Sequence, residues 1–219
     1  TIVEQVKKQN GELLKNKGGT GSEINIVIAS GDMDTLQLVD GKKVQVYTLK
    51  KGIKDTIIYD EDGVRERFGF GPELLPDYKG LRGDPSDNII GIKGIGEKTA
   101  TTLITTFGSI ENMYKELEKN GEAKFEKAGI TERVFNLIKE GKEEAEFSKM
   151  LATIRRDAPI EFVLPKKEFK ASLDMEKIAT LFTELDFRTL ANRLRKALGM
   201  EIEKTGSASG STDDKKENV

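Results

Sequence analysis

Hydrophobic and polar positions follow two different rhythms along this chain, and the change from one to the other falls at about residue 62. In the first stretch, residues 1–16 read as a helix, with Thr1-Ile2-Val3-Glu4-Gln5-Val6 looking like a helix entered midway. That entry, with threonine and not methionine first, predicts a fragment of a longer protein. Lys17-Gly18-Gly19-Thr20-Gly21 is a loop signal. Ile24-Asn25-Ile26-Val27-Ile28-Ala29 is short, β-branched and largely apolar, which predicts a strand covered on both faces. Lys43-Val44-Gln45-Val46-Tyr47 alternates, and Thr56-Ile57-Ile58-Tyr59 follows a glycine-containing turn, so these two form a strand pair. A helix, a buried strand and then further strands describe the end of an α/β sheet domain.

Beyond residue 62 the spacing becomes helical. Ala100, Leu103, Ile104 and Phe107 fall at i, i+3, i+4 and i+7, and Ile110, Met113, Tyr114 and Leu117 repeat the pattern after a Gly108-Ser109 break. Ser109 suits the N-cap of the second helix. One long helix is expected from Thr131 to about Ile154, and a further pair between Met175 and Leu198. Pro159-Ile160-Glu161-Phe162-Val163 between them is an extended connector. From Glu201 onward the glycine-, serine- and charge-rich sequence lacks the means to bury a core, so 201–219 is expected to be a disordered tail or linker.

Composition narrows the chemistry. Among 219 residues there is no cysteine, histidine or tryptophan, which excludes disulfides, thiolate nucleophiles, Cys/His zinc sites and any Ser-His-Asp relay. A metal here must be held by oxygen, which favours Mg²⁺, Mn²⁺ or Ca²⁺. The net charge of −2 carries no whole-chain sign of nucleic-acid binding, so such a site must come from local pattern. The longest nearly apolar run, Ile24–Ala29, is far too short to span a bilayer as a helix, and no membrane partner is expected.

Three segments could carry chemistry. Asp32-Met33-Asp34 lies just past the carboxyl end of the first strand, the edge where open α/β sheets bind ligands. The pair reads either as two ligands or as a helix start capped by Asp34. Asp84 and Asp87, in Gly83-Asp84-Pro85-Ser86-Asp87-Asn88, suit an N-cap and the N3 position around a proline at N1. Four carboxylates brought together would repel, and bound cations would relieve them. The third segment, Gly91-Ile92-Lys93-Gly94-Ile95-Gly96-Glu97-Lys98-Thr99-Ala100, departs from a nucleotide phosphate loop because Glu97 stands where lysine belongs. It reads as two helices joined by Gly-Ile-Gly, with main-chain N–H groups at a helix N-terminus and Lys93 and Lys98 beside them, a nest for a phosphate oxygen.

The run from Leu81 to Ala100, LRGDPSDNIIGIKGIGEKTA, closely resembles the 5′ nuclease domain of bacterial DNA polymerase I and, more broadly, the flap endonuclease and 5′–3′ exonuclease superfamily. Ala29–Asp34, Asp77-Tyr78 and Leu151–Arg155 support the resemblance, which extends over about residues 1–199. It implies an α/β fold: the C-terminal portion of a PIN-like parallel-sheet nuclease core over 1–80, then a mainly helical, DNA-binding region with a helix–three-turn–helix (helix-hairpin-helix-like) motif over 81–200. Asp32, Asp34, Asp84 and Asp87 match four of the family's metal-binding carboxylates, expected to hold two Mg²⁺ or Mn²⁺ ions roughly 4 Å apart. Lys93, Gly94, Ile95, Gly96, Lys98 and Thr99 match the loop that grips duplex phosphates, usually with a K⁺ at the Gly91–Gly96 turn, and Arg82 is a further phosphate contact. The sequence departs from the family at Ile90, where proline is common. The family's first metal-binding aspartate and its Glu-Ala-Asp-Asp cluster match no residue here.

The implied activity is a metal-dependent 5′–3′ exonuclease and 5′-flap endonuclease acting in DNA replication and repair. The implied partners are double-stranded or branched DNA with a 5′ end and a covalently linked polymerase domain, and the implied location is the bacterial cytosol, at the nucleoid. The competing reading is a non-catalytic duplex-binding module, because the upstream half of the family's metal site has no counterpart in the sequence.

Overall fold

A computed structural model describes residues 1–16, 24–52 and 54–200. The loop expected at Lys17–Gly21 and the tail expected at 201–219 lie outside the described residues. The chain divides into two compact units, Thr1–Val163 and Leu164–Val219.

The first unit opens with helix α1 (Ile2–Asn16) and a three-stranded sheet in the order β1 (Ile26–Ala29), β2 (Val44–Leu49), β3 (Thr56–Tyr59). β1 runs parallel to β2, with Ile28 opposite Val46, and β2 pairs antiparallel with β3, with Tyr47 opposite Ile58. The sheet is therefore mixed, and only its first pair follows the expected parallel arrangement. Its period of two sends Val44, Val46 and Tyr59 into the core while Val27, Leu49 and Ile58 stay about half exposed on the other face. The expectation that the first strand is covered on both faces is thus corrected. An apolar run of four residues satisfies either arrangement, and here Val27 is left 54% exposed.

A helical layer covers the inner face: α2 (Glu61–Phe68), α3 (Leu75–Arg82), α4 (Glu97–Phe107), α5 (Ile110–Asn120), α6 (Ala123–Lys127), α7 (Glu132–Glu140) and α8 (Lys142–Ala152). The predicted stripes of α4 and α5 are buried, including Ala100, Leu103 and Ile110 at 0% exposure. Ser109 caps α5 by accepting from the Asn112 N–H at 3.3 Å. Phe125 fills the centre of this layer, stacked on Phe107 at 4.5 Å and edge-on to Phe135 at 5.2 Å.

The single long helix expected over 131–154 is two, α7 and α8, broken at Gly141. A Cβ at Gly141 would lie 2.9 Å from both the Ile92 side chain and the Leu137 carbonyl, so the chain bends where another segment presses on its backbone. α8 then packs on α3 through small residues, Ala145, Ser148 and Ala152, opposite Gly80. A Cβ on Gly80 would meet Ile110 at 2.8 Å and the Ala145 carbonyl at 2.9 Å, so glycine sets this close approach.

Two kinds of polar device, a pair of glutamine bridges and a lysine ion network, tie the unit together. Buried Gln37 donates to the Ala152 carbonyl at 2.8 Å and accepts from the Ile154 N–H at 3.2 Å. Gln5 of α1 likewise holds both the Ile160 carbonyl and the Phe162 N–H, so the connector at 159–163, which carries no helix or strand, is tied to α1. The second device is Lys149, whose ammonium donates to Asp77 at 2.6 Å and to Glu111 at 2.7 Å, joining α3, α5 and α8.

Burial pushes the Glu111 carboxyl up, but the Lys149 hydrogen bond and charge, a main-chain N–H and the Ser109 hydroxyl together outweigh it and hold the group below the usual range. Burial pushes Lys149 down, and its hydrogen bonds to Asp77 and Glu111 outweigh that and raise it above the ordinary 10.5. The lowered carboxyl stabilises the fold above the ordinary carboxylate range and loses that contribution as pH falls through its folded value. The raised ammonium stabilises below the ordinary lysine value and loses its contribution as pH climbs through the higher folded value. Thermal melts between about pH 3 and about pH 11 should therefore show acid and alkaline limbs that Lys149→Met flattens. Unchanged limbs in that variant would refute the assignment.

The second unit carries α9 (Phe169–Ser172), α10 (Met175–Glu184) and α11 (Leu190–Ala197), the last two matching the predicted helix pair. Asp174 caps α10 by accepting from the Lys177 N–H, and Phe182 meets Phe187 edge-on.

Candidate metal centre and nucleic-acid interface

The candidate centre is assembled by two short turns, one after β1 and one after α3. After β1, Ser30-Gly31 leads into a 3-10 turn over Met33–Leu38 whose N-cap is Asp32, not Asp34: the Asp32 carboxylate accepts from the Asp34 N–H at 2.9 Å. That turn aims the Asp34 side chain toward α3. A second 3-10 turn over Pro85–Asp87 has Asp84 as N-cap and Pro85 at N1, as the sequence predicts. Asp84 accepts from the Ser86 N–H at 3.1 Å and from its hydroxyl at 2.6 Å.

Asp34, Asp84 and Asp87 each offer one oxygen within 4.8 Å of the others. Asp32 is an exposed neighbour outside that group, its carboxylate engaged as a cap. Sequence reasoning missed Lys79. From α3 its ammonium reaches Asp84 at 2.6 Å and also bonds Asp34. Burial pushes the Asp84 carboxyl up, yet hydrogen bonds from Lys79 and Ser86 hold it below the usual range. A lysine within a helix carries no signal of such a role; only the fold brings residues 34, 79 and 84 together. Three converging carboxylates offer hard oxygen donors of the kind Mg²⁺ and Mn²⁺ prefer. Beside them lies a cavity of about 230 Å³ lined by Met33, Arg67, Phe68, Tyr78 and Arg82 among others.

The segment from Gly83 to Gly96 is a loop between α3 and α4, longer than the Gly-Ile-Gly corner the sequence suggests. Asp84 and Ile89 exchange main-chain hydrogen bonds at 2.8 and 2.9 Å, closing the turn that carries Asp87. The Ile92 N–H donates to the Leu81 carbonyl at 2.9 Å, and the Gly91 N–H donates to the buried Ser148 hydroxyl at 3.0 Å. The acidic turn and the Gly91–Thr99 segment are thereby held as one piece against α3 and α8.

Lys93, Gly94, Gly96 and Lys98 are exposed on this loop, and Thr99 is half-buried. Gly94 has φ +95°, a left-handed conformation that favours glycine. Gly96 is the N-cap of α4 and no side chain caps the helix, so its first-turn N–H groups face outward. Ile95 behaves differently: it is buried in the core, and its N–H is already bonded to the Ile92 carbonyl at 3.0 Å. The Arg82 guanidinium lies over the Tyr78 ring at 5.7 Å and 3.9 Å from Glu97. Among the described residues no helix is long and apolar enough to cross a membrane.

Residues 70–176, which hold Asp84, Asp87 and the whole glycine loop, match the family described as 5′-3′ exonuclease, C-terminal SAM fold. The chain is 41% identical over 174 residues to DNA polymerase I of Bacillus caldotenax, an alignment covering 80% of this chain and 18% of the relative. It is 37% identical over 184 residues to DNA polymerase I of Bacillus subtilis, covering 84% and 19%. The chain thus spans about a fifth of the length of these relatives. A solved structure of the T5 5′-exonuclease with bound divalent metal ions (zinc) aligns at TM-score 0.49 and 19% identity, over 67% of this chain and 48% of that one. Through residues 70–176 the chain carries the 5′-3′ exonuclease C-terminal domain, and over most of its length it is similar to the corresponding part of bacterial DNA polymerase I.

Proposed function

We propose that this chain contributes to a metal-dependent 5′–3′ exonuclease and 5′-flap endonuclease, as part of a polymerase I-like protein that trims DNA 5′ ends in replication and repair in the bacterial cytosol. The observation that carries the reading is the convergence of Asp34, Asp84 and Asp87, bonded through one loop to an exposed nest of main-chain N–H groups flanked by lysines. Residues 1–80 serve as part of the nuclease core and 81–200 as the duplex-binding part. Asp34, Asp84 and Asp87 would hold divalent ions, Mg²⁺ or Mn²⁺, with Asp32 beside them acting through water. Two such ions would supply Lewis acidity toward the attacking water and the scissile phosphate.

The chain's own residues do the positioning. Gly94, Gly96 and the first turn of α4 present main-chain N–H groups to a phosphate, while Lys93, Lys98 and Thr99 add charge and a hydroxyl. The carbonyls of the Gly91–Gly96 turn suit a K⁺. Rigid attachment of this loop to the acidic turn sets the spacing between the gripped phosphate and the cut one.

The test is cleavage of a 5′-flap DNA by the full-length protein with Mg²⁺. Asp84→Ala plus Asp87→Ala should lower the rate by at least about a thousandfold, as expected when charge stabilisation at a reacting phosphate is lost. Wild-type rates in the double variant would sink the reading. The second reading, duplex binding without turnover, rests on the three carboxylates that converge, one fewer than the four matched to the family. In that case the 219-residue chain binds duplex without cutting it, with log K falling against log salt by about 0.9 per phosphate neutralised. Lys93→Ala plus Lys98→Ala should flatten that slope under either reading.

A further inference from the structure

The structure assigns Lys79 the role of a built-in counter-cation that competes with divalent metal for the carboxylates. This inference rests on the metal-centre reading above. Lys79 projects from α3 into the space shared by two of the three converging side chains, donating to Asp84 at 2.6 Å and to Asp34. Its side chain and those of both partners are only 15–17% exposed, so the attraction is screened little. The contacts come from different directions. Asp34 follows the strand, Asp84 caps the loop, and both turn toward one ammonium although they lie 45 and 5 residues away in the chain.

Three carboxylates with oxygens within 4.8 Å of one another repel unless something positive lies among them. In this arrangement Lys79 is that charge, and it keeps the acidic turns in place. A divalent ion bridging Asp34 and Asp84 needs the oxygens that Lys79 occupies, and an ammonium a few ångströms from a doubly charged ion is repelled. The lysine must therefore withdraw when metal loads. The adjoining cavity, walled by Met33, Phe68 and Tyr78, gives its four-carbon stem apolar surface to lie against. Withdrawn there, the ammonium is free to meet a phosphate. Lys79 is thus a positioning residue that sets the metal threshold of the site, holding the site in shape before metal arrives.

Mn²⁺ titration of the 219-residue chain by electron paramagnetic resonance, with thermal melts at each concentration, tests this. Lys79→Met should bind Mn²⁺ at least about tenfold more tightly, since a unit charge at contact distance opposes a divalent ion by at least that factor. Without metal the same variant should melt lower than wild type, and it should gain more from added Mn²⁺. Lys79→Arg, which keeps the charge, should restore wild-type affinity; Lys79→Gln replaces the methionine variant if that one does not fold. Equal or weaker Mn²⁺ binding by the uncharged variants would overturn the competition while leaving the metal centre standing. If Asp84→Asn plus Asp87→Asn binds Mn²⁺ as well as wild type does, the metal-centre reading and the role of Lys79 both fall.

Discussion

Alanine at Gly91 should destabilise the first unit by about 2–6 kcal/mol, adding about 1–3 for a left-handed non-glycine residue and about 1–3 for overpacking. Gly91 has φ +64°, and a Cβ built there would lie 2.6 Å from the Arg82 carbonyl carbon and 2.7 Å from the Gly83 Cα. All the nearest atoms are backbone, so no rotamer change relieves the clash. Gly83 faces it under the same constraint, with φ +79° and the Ile89 carbonyl 2.7 Å from its own virtual Cβ. The two glycines therefore form a crossing that lets the chain leave α3, loop through Asp84 and Asp87, and return alongside itself.

The functional loss should be broader than the stability loss. The crossing holds the Ile92–Leu81 and Gly91–Ser148 hydrogen bonds, which fix the acidic turn and the lysine-flanked loop relative to each other. Gly91→Ala should thus weaken Mn²⁺ binding and duplex binding together, each by more than tenfold, in measurements made below the melting temperature. Gly121 provides the contrast. It too has positive φ, with ψ −144°, but a Cβ there meets nothing within 4 Å, so Gly121→Ala should carry only the conformational cost of about 1–3 kcal/mol and leave binding intact. Equal effects at the two positions would show that strain, and not the crossing, governs Gly91.

Sequence periodicity made the helical layer legible where apolar spacing alone decides the outcome. α4 and α5 were readable because their stripes are buried against a core that accepts any well-spaced apolar face. The loop was readable through its glycines, whose positive φ values and close approaches leave a compositional mark. Gly141 was not, since its neighbours continue a helical pattern and the break comes from Ile92 pressing on the backbone. Ile95 lies among glycines and lysines and reads as a surface residue, yet the loop turns its side chain inward. The candidate site was legible in its aspartates, while Lys79 and Ser148 were silent. A lysine or serine within a helix is ordinary, and what ties these two to the candidate site is contact across 45 and 57 residues of chain. Such contacts are tertiary consequences that local pattern does not encode.

Asp77 also works through such tertiary contacts, and Asp77→Ala should destabilise the chain by about 3–5 kcal/mol, the range for removing one partner of a buried ion pair. Asp77 is 3% exposed on α3 and has two distinct obligations. It accepts from the Ile110 N–H at 2.8 Å, satisfying a donor in the first turn of α5, and from the Lys149 ammonium at 2.6 Å. Alanine would leave the buried N–H unpaired and Lys149 with Glu111 alone, whose side chain is half exposed. Asn separates the two obligations: its amide oxygen still accepts from Ile110, but the charge opposite Lys149 is lost. The expected order in urea denaturation is therefore wild type above Asp77→Asn above Asp77→Ala, with midpoints shifting at constant m. A loss below about 1 kcal/mol in the alanine variant would mean that the ion pair contributes no more than an exposed one. Because Asp77 faces α5 and α8 while Lys79, two residues on, faces the carboxylates, Mn²⁺ affinity in folded Asp77→Asn should stay within about threefold of wild type, as expected for sites without shared partners. A larger change would show that α3 transmits the loss of the Lys149 anchor to the metal centre, making the ion network part of the site.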